Sequence, residues 1–140
     1  MASEIRLSAL GSFKTQVTTA DHTWTIDEPL AAGGTNAGPT PYDLLAAALG
    51  GCTAMTLHFY AKREGLPLEG VELTVSHDRK HAQDCADCVT RGGYIHHFEV
   101  KLDLRGPLTD DQKQKLLGVA RRCPVYKTLT SEIRIDEVLV

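Results

Sequence analysis

The chain has 140 residues, of which 42% are hydrophobic, and it carries a formal net charge of -3 at pH 7. That length suits one domain with its own core over residues 1–140, and the spread of basic residues along it predicts neither a nucleic-acid nor a membrane partner. The N-terminal segment is too charged for a signal peptide, and no stretch approaches the roughly 18 apolar residues of a membrane span, so we expect a cytoplasmic protein.

The first third of the chain predicts strands, then a loop, then a helix. The segments RLSAL, FKTQVTTA and HTWTIDE alternate polar and apolar residues between turn signals, which indicates a three-stranded meander. Residues 28–41 are rich in Gly, Pro, Asn and Thr and should form a loop. Thr40 is a good N-cap, Pro41 fits the first helical position and Asp43 suits the first turn, so a helix should run from here to Gly65.

The last third of the chain predicts a second helix, a short helical turn and a strand. The helix should begin after Thr109, where Gln112 completes a capping box, and should stop just before Cys123, because proline follows it. The segment PVYKTLT fits a helical turn, and EIRIDEVLV is typical of a final strand. Together with a hairpin over residues 71–104, this order predicts an α+β fold.

The first helix is apolar around most of its circumference, which is typical of a helix that is covered on all sides. Gly50 and Gly51 each cost about 1 kcal/mol in helix propensity relative to alanine. Close approach of another helix would compensate for that cost. We therefore expect this helix to pack against its symmetry mate in an obligate homodimer.

Two cysteines, Cys52 and Cys123, raise the question of thiol chemistry. Cys52 lies inside the apolar helix, where it fits the role of a small buried hydrophobe as well as that of a reactive thiol. Cys123 precedes Pro124 and should be the N-cap of the following turn, where backbone N–H groups and the helix dipole favour a thiolate. Arg122 and other basic residues nearby add positive charge.

The motifs GPTPYDLLAAALGGCTAMTL and RRCPVYKTLTSEIRI resemble those of the OsmC family, which includes the organic hydroperoxide resistance proteins. The resemblance covers nearly the whole chain. It implies an intertwined homodimer whose antiparallel sheets wrap around two long central helices, with each active site at the dimer interface. It also implies that Cys52 attacks the hydroperoxide, that Cys123 resolves the sulfenic acid to a disulfide, and that an external thiol or dihydrolipoyl group is the reductant. The resemblance implies no bound cofactor.

The family pairs its reactive thiolate with an acidic residue and an arginine. Asp43 is the candidate acid, although it lies nine residues from Cys52 and must then serve the partner subunit's site or simply be a first-turn helix residue. No arginine occurs between Arg6 and Arg63, so the activating guanidinium of the family has no obvious counterpart. Lys14 could substitute, but not as a planar bidentate donor.

The predicted hairpin carries a second group of chemically active residues around its loop HAQDCADCVTRGG. His77, His81, Cys85 and Cys88 occur in the spacing H-x3-H-x3-C-x2-C, and four nitrogen and sulfur ligands suit tetrahedral zinc. All four converge only if the loop folds back on the strand. A structural metal site, an auxiliary redox pair and an exposed polar loop remain open at this point.

The resemblance therefore implies a thiol-dependent peroxidase that reduces small organic hydroperoxides through Cys52 and Cys123. Two alternatives stay open. One is an OsmC-like protein that lacks efficient peroxidase activity and binds an apolar ligand, which the missing arginine favours. The other is a metal-binding protein that uses the cysteines and histidines of the hairpin loop.

Overall fold

A computed structural model describes residues 3–140 of the chain, and Met1 and Ala2, where the expected domain begins, lie outside the described residues. The chain divides into two compact units, one extending to Leu45 and the other running from Ala46 to Val140. The expectation of a single domain over the whole length stays a prediction.

The first unit contains the predicted three-stranded meander. Its strands are β1 (Arg6–Ala9), β2 (Thr15–Thr18) and β3 (Thr23–Ile26), which form one antiparallel sheet in the order β1-β2-β3. Val17 of β2 is buried and pairs with Trp24 of β3. The alternation of polar and apolar residues predicted this sheet correctly.

Asp27 organises the loop that follows the meander. Its carboxylate accepts hydrogen bonds from the backbone N–H groups of Glu28, Thr35 and Ala37, and from the Thr35 hydroxyl. The Thr35 hydroxyl is the largest cause that lowers the pKa of Asp27 to about 2. One buried carboxylate thus stabilises a Gly- and Pro-rich segment that has little regular structure of its own.

The long helix α1 (Pro41–Glu64) begins and ends as predicted. Thr40 and Asp43 cap it reciprocally: the Asp43 N–H donates to Thr40 Oγ1 at 3.1 Å, and the Thr40 N–H donates to Asp43 Oδ2 at 2.9 Å. Gly65 follows the last turn with a left-handed φ of 67°, which a side chain would strain. Both ends of α1 therefore depend on local signals in the sequence.

In length and composition, α1 could cross a membrane, so the expectation that no such stretch exists was wrong. The core helix of a soluble protein meets the same criteria. Within the second unit, one stripe of α1 is buried, comprising Leu49, Gly50, Thr53, Leu57, Tyr60 and Ala61. Met55 and Phe59 lie outside this stripe and are 73% and 70% exposed. A single chain therefore covers one side of α1 and leaves an apolar side open.

A long hairpin packs on the buried stripe of α1. Its strands β4 (Gly70–His81) and β5 (Tyr94–Arg105) pair antiparallel along their full length. A Cβ on Gly50 would lie 2.7 Å from Leu73 Cδ1 and 3.0 Å from Val75 Cγ2 of β4. The close approach that Gly50 permits is therefore to a strand of the same chain, not to a second helix as the sequence suggested.

Two short helices complete the second unit. The helix α2 (Asp110–Ala120) begins with the predicted capping box between Thr109 and Gln112. Its Leu116 and Val119 join Leu57, Tyr60 and Ala61 of α1 in the core. The helix α3 (Pro124–Leu129) follows directly, with Cys123 as its N-cap, as predicted.

The predicted final strand does not form. Residues 132–140 have no strand partner among residues 3–140, and Ile133 and Ile135 are exposed. Alternation alone does not make a strand, because a strand needs a neighbour that accepts and donates its backbone hydrogen bonds. The sequence pattern therefore indicated a potential to pair that the single chain does not use.

Candidate active site

Helices α1 and α3 bring the two free thiols of the chain together. Cys52 lies on α1 and is partly exposed, whereas Cys123 is completely buried at the start of α3. The two side chains are within hydrogen-bonding reach of each other. The fold thus brings together two thiols that 70 residues of sequence separate.

The position of Cys123 follows from how α3 begins. The backbone N–H of Tyr126 donates a hydrogen bond to Cys123 Sγ at 3.4 Å, so the sulfur caps the helix where an oxygen usually does. Pro124 occupies the first helical position, where its missing N–H costs nothing. The cap holds the sulfur at the positive end of a helix.

The surroundings of Cys123 favour its thiolate. Burial raises the pKa of this thiol, but hydrogen bonds from Cys52 and from the backbone N–H groups of Tyr126 and Val125, together with the Thr53 side chain, lower it more, and the net direction is down. A sulfur that receives several donors is stabilised most when it carries the negative charge. Cys123 is therefore the more acidic thiol of the pair.

The opposite holds for Cys52. Burial is the largest cause that raises the pKa of Cys52, and the hydrogen bond to Cys123 and the negative charge there raise it further. The backbone N–H of Val125 and the side chain of Thr56 lower it only in part. Cys52 is therefore the less acidic thiol of the pair.

Cys52 opens onto an apolar cleft of about 650 Å³ along the uncovered side of α1. The residues that line it include Ala48, Gly51, Cys52, Met55, Phe59 and Arg122. Most of this surface is hydrocarbon, which suits a small apolar molecule better than a charged one. The accessible thiol therefore faces an apolar cleft, while the more acidic thiol lies behind it.

Among the described residues that line this cleft, Arg122 is the only charged one. Its guanidinium lies 5.7 Å from the centre of the Tyr60 ring, which holds the cation by a cation–π contact. From the sequence, Arg122 was expected only to add positive charge near Cys123. Its place directly before the Cys-Pro motif was the signal that could have identified it as a cleft residue.

Asp43 is the third residue predicted for the site. Its carboxylate caps the first turn of α1 through Thr40, which is the structural role that the sequence left open. No described contact tests whether it also serves a partner subunit. The catalytic role of Asp43 stays a prediction.

The hairpin loop brings together only part of the predicted metal-binding set. Cys85 and Cys88 are joined by a disulfide, and their donor atoms form one group with that of Asp87, all within 4.8 Å of one another. His77 and His81 are not in this group. His77 Nε2 lies 3.0 Å from His96 Nδ1, and the His81 ring packs on Tyr94 with ring centres 4.4 Å apart. The loop turns its sulfurs toward Asp87 instead of toward the strand histidines.

A family model described as OsmC-like protein matches residues 34–138, a range that includes both helices carrying the free thiols. The chain belongs to the OsmC-like family. The model match confirms the resemblance carried by the two cysteine motifs. Members of this family include organic hydroperoxide resistance proteins. Comparison with curated proteins found no match.

Solved structures support the same fold for this OsmC-like chain. An OsmC-like protein from Mycoplasma pneumoniae has a TM-score of 0.72 at 16% identity, with 92% of this chain and 87% of that chain covered. The organic hydroperoxide resistance protein OsmC from Legionella pneumophila gives 0.69 at 18%, covering 93% and 90%. OhrB of Bacillus subtilis, an organic hydroperoxide resistance protein, gives 0.58 at 21%, covering 93% and 91%. At these identities the comparisons establish an α+β fold with a long central helix and antiparallel sheets.

Proposed function

We propose that this protein is a thiol-dependent peroxidase that reduces small organic hydroperoxides through Cys52 and Cys123. The observation that carries the proposal is the contact between a cleft-facing thiol and a buried, more acidic thiol. One thiol can attack a peroxide and the other can then close a disulfide. The apolar lining of the cleft favours organic hydroperoxides over hydrogen peroxide.

Cys123 supplies the base for Cys52, although its negative charge raises the pKa of Cys52 and makes the Cys52 thiolate the less populated form of the pair. The Cys123 thiolate accepts the proton of Cys52, which leaves a Cys52 thiolate beside the cleft. That thiolate attacks the distal peroxide oxygen, the O–O bond breaks, and the alkoxide takes a proton from Cys123 to leave as an alcohol. The Cys123 thiolate then attacks the Cys52 sulfenic acid, and hydroxide leaves as the disulfide forms.

Two other groups complete the proposed chemistry. Arg122 supplies positive charge in the cleft as the alkoxide develops. An external dithiol, such as a dihydrolipoyl group, reduces the Cys52–Cys123 disulfide and is itself oxidised to a cyclic disulfide. We propose that this cycle runs in the cytoplasm, where thiols are kept reduced.

We further propose that the working protein is a homodimer that closes the cleft with a second copy of α1. Met55 and Phe59 are largely exposed in the single chain, and a Cβ on Gly51 would meet nothing within 4 Å. Residues 132–140 are exposed and unpaired among the described residues, so they are available to a partner's sheet. In such a dimer, Asp43 serves as the acid of the partner subunit's site.

The proposal is tested by following cumene hydroperoxide consumption by the reduced protein with a dithiol donor. The wild type should turn over and form a Cys52–Cys123 disulfide that is visible by intact mass. The Cys52→Ser variant should be inactive. A wild-type protein whose Cys52 oxidises no faster than free cysteine would refute the peroxidase.

A single-turnover experiment isolates the base role of Cys123. If Cys123 only resolves the sulfenic acid, Cys123→Ser leaves the first oxidation of Cys52 unchanged. If it also accepts the Cys52 proton, that first step slows by at least about tenfold at neutral pH and recovers as pH rises. An unchanged first step would remove the base role and keep the resolving role.

A second function keeps the same cleft but not the peroxidase chemistry. The lining of the cleft is largely hydrocarbon, and no arginine occurs between Arg6 and Arg63, so an OsmC-like protein that binds an apolar ligand fits the same observations. A fluorescent apolar probe that binds stoichiometrically to a peroxidase-inactive wild type would favour this function.

A further inference from the structure

The tip of the β4–β5 hairpin carries a second sulfur site that the peroxidase chemistry does not use. Cys85 and Cys88 form a disulfide with Cα atoms 5.4 Å apart. Both residues are partly buried, while Asp87 between them is exposed. We propose that this loop is a redox-linked metal site, in which reduced Cys85 and Cys88 together with Asp87 bind a zinc-class divalent cation and the disulfide releases it.

The loop is built as a defined turn at the end of a long paired hairpin. The Ala82 N–H donates to Gly93 O at 2.9 Å, which closes the base of the loop, and Ala82 itself is buried. A 3-10 turn over Ala82–Asp84 follows, and the Cys85 N–H donates to Ala82 O at 3.2 Å. These backbone bonds order the chain up to Cys85, and neither of them involves a sulfur atom.

The positions of the donor atoms suit a cation with tetrahedral coordination. Cys85 Sγ lies 3.5 Å from Asp87 Oδ1. A thiolate at about 2.3 Å and a carboxylate oxygen at about 2.1 Å from zinc are also separated by roughly 3.5 Å at the tetrahedral angle. Once the disulfide is reduced, the two sulfurs need to separate to only about 3.8 Å to become neighbouring ligands. Water would fill the fourth position.

The charge of the loop also favours a cation over free thiolates. Asp84 precedes Cys85 and Asp87 lies between the two cysteines, and Arg91 is the one basic residue between Ala82 and Gly93. Two thiolates beside these carboxylates repel one another unless a positive ion joins them. Sulfur ligands select zinc-class ions over calcium and magnesium, which prefer oxygen.

The reaction balances with a named reductant. A trialkylphosphine and water convert the disulfide to two thiols and a phosphine oxide, and zinc then displaces two protons from those thiols. The reverse loss of metal accompanies reoxidation of the two thiolates by a disulfide oxidant, which is reduced to two thiols. The same two sulfurs thus serve either a covalent bond or a metal, never both.

The test uses the full chain with Cys52 and Cys123 both replaced by serine, so that Cys85 and Cys88 are the only cysteines that remain. After phosphine reduction and removal of the phosphine, zinc is measured by competition with a chromophoric chelator, and cobalt is added to report thiolate ligation by its charge-transfer absorption. We expect one metal ion per reduced chain and none for the disulfide form. Each metal-free variant is checked for folding by circular dichroism.

Matched variants assign the ligands. Cys85→Ser or Cys88→Ser should weaken binding at least about a hundredfold and remove the cobalt–thiolate band, and Asp87→Asn should weaken it about tenfold. Asp84→Asn, which removes an equal charge from the same loop outside the donor group, should change affinity less than Asp87→Asn. The proposal is overturned if the reduced chain binds no zinc, if Cys85→Ser binds as the parent does, or if the two aspartate variants weaken binding equally.

Discussion

The two cysteine pairs of this chain differ in oxidation state and in their surroundings. Cys52 and Cys123 are free thiols on two helices, where backbone donors and burial separate their acidities. Cys85 and Cys88 are three residues apart in one loop and are already bonded to each other. Long-range folding produces a pair of free thiols that differ in acidity, whereas the short loop produces a pair that is already a disulfide. The difference predicts that only the first pair divides the work of attack and resolution.

The largest effect that we expect from this difference is on hydroperoxide turnover. Cys52→Ser should lower hydroperoxide turnover by at least about a thousandfold, since serine is a far weaker nucleophile at neutral pH. Cys85→Ser should leave turnover within about twofold, because the loop takes no part in the proposed steps. Steady-state consumption of cumene hydroperoxide with a dithiol donor measures both variants. A comparable loss in Cys85→Ser would mean that the two pairs exchange electrons and that the division drawn above is wrong.

The second test concerns the support that each pair receives from the core. Leu116 of α2 is completely buried beside Leu57 of α1, so Leu116→Ala should lower the free energy of unfolding by about 2–5 kcal/mol. Val89, next to the loop disulfide, is 94% exposed, and Val89→Ala should change that free energy by less than about 0.5 kcal/mol. Urea denaturation of the reduced protein compares them. Similar losses for both would show that the loop belongs to the core after all.

The third test concerns acidity. Since the pKa of Cys123 is lowered and that of Cys52 is raised, Cys123 should ionise first as pH increases, and its thiolate fraction at neutral pH should exceed that of free cysteine. Ultraviolet absorbance of the thiolate, titrated in the Cys85→Ser/Cys88→Ser background, reads this directly. Cys52→Ala should move the Cys123 transition to higher pH by removing a donor, whereas Cys52→Ser, which keeps a donor, should move it less. A transition that disappears with Cys52 instead of with Cys123 would reverse the assignment.

The features of the fold and the site that could be predicted from the sequence are those set by neighbouring residues. The capping box of Thr109 and Gln112 and the N-cap position of Cys123 follow from three or four neighbouring residues, and both were predicted. The hydrogen bond from the Tyr126 N–H to Cys123 follows from that N-cap position, but the contact between Cys123 and Cys52, which lowers the pKa of one thiol and raises that of the other, joins distant residues and was not predicted from spacing. The predicted metal set failed for a similar reason: the loop backbone places Asp87, and not His81, beside the sulfurs.

The C-terminal segment has the sequence pattern of a strand but no neighbouring strand among the described residues. Ile133 and Ile135 alternate with polar residues as a strand would, yet both are exposed, and the segment pairs with none of the described residues. Hydrophobic alternation reports what a segment can bury, and only a neighbouring strand decides whether it does. The same reasoning applies to α1, whose second apolar side the chain leaves uncovered.

The smallest expected effect concerns the exposed apolar side of α1. Alanine substitutions at two adjacent glycines, Gly50 and Gly51, test whether a second subunit covers it. A Cβ on Gly50 would press on Leu73 and Val75, so Gly50→Ala should lower stability by about 1 kcal/mol without weakening a dimer. A Cβ on Gly51 has open space in the single chain, where alanine should stabilise the helix by about 1 kcal/mol. If a partner's α1 lies against Gly51, the same methyl group should instead weaken the dimer about tenfold, which sedimentation equilibrium measures. A Gly51→Ala protein that dimerises as the wild type does would mean that the cleft beside Cys52 is not covered at this point of α1.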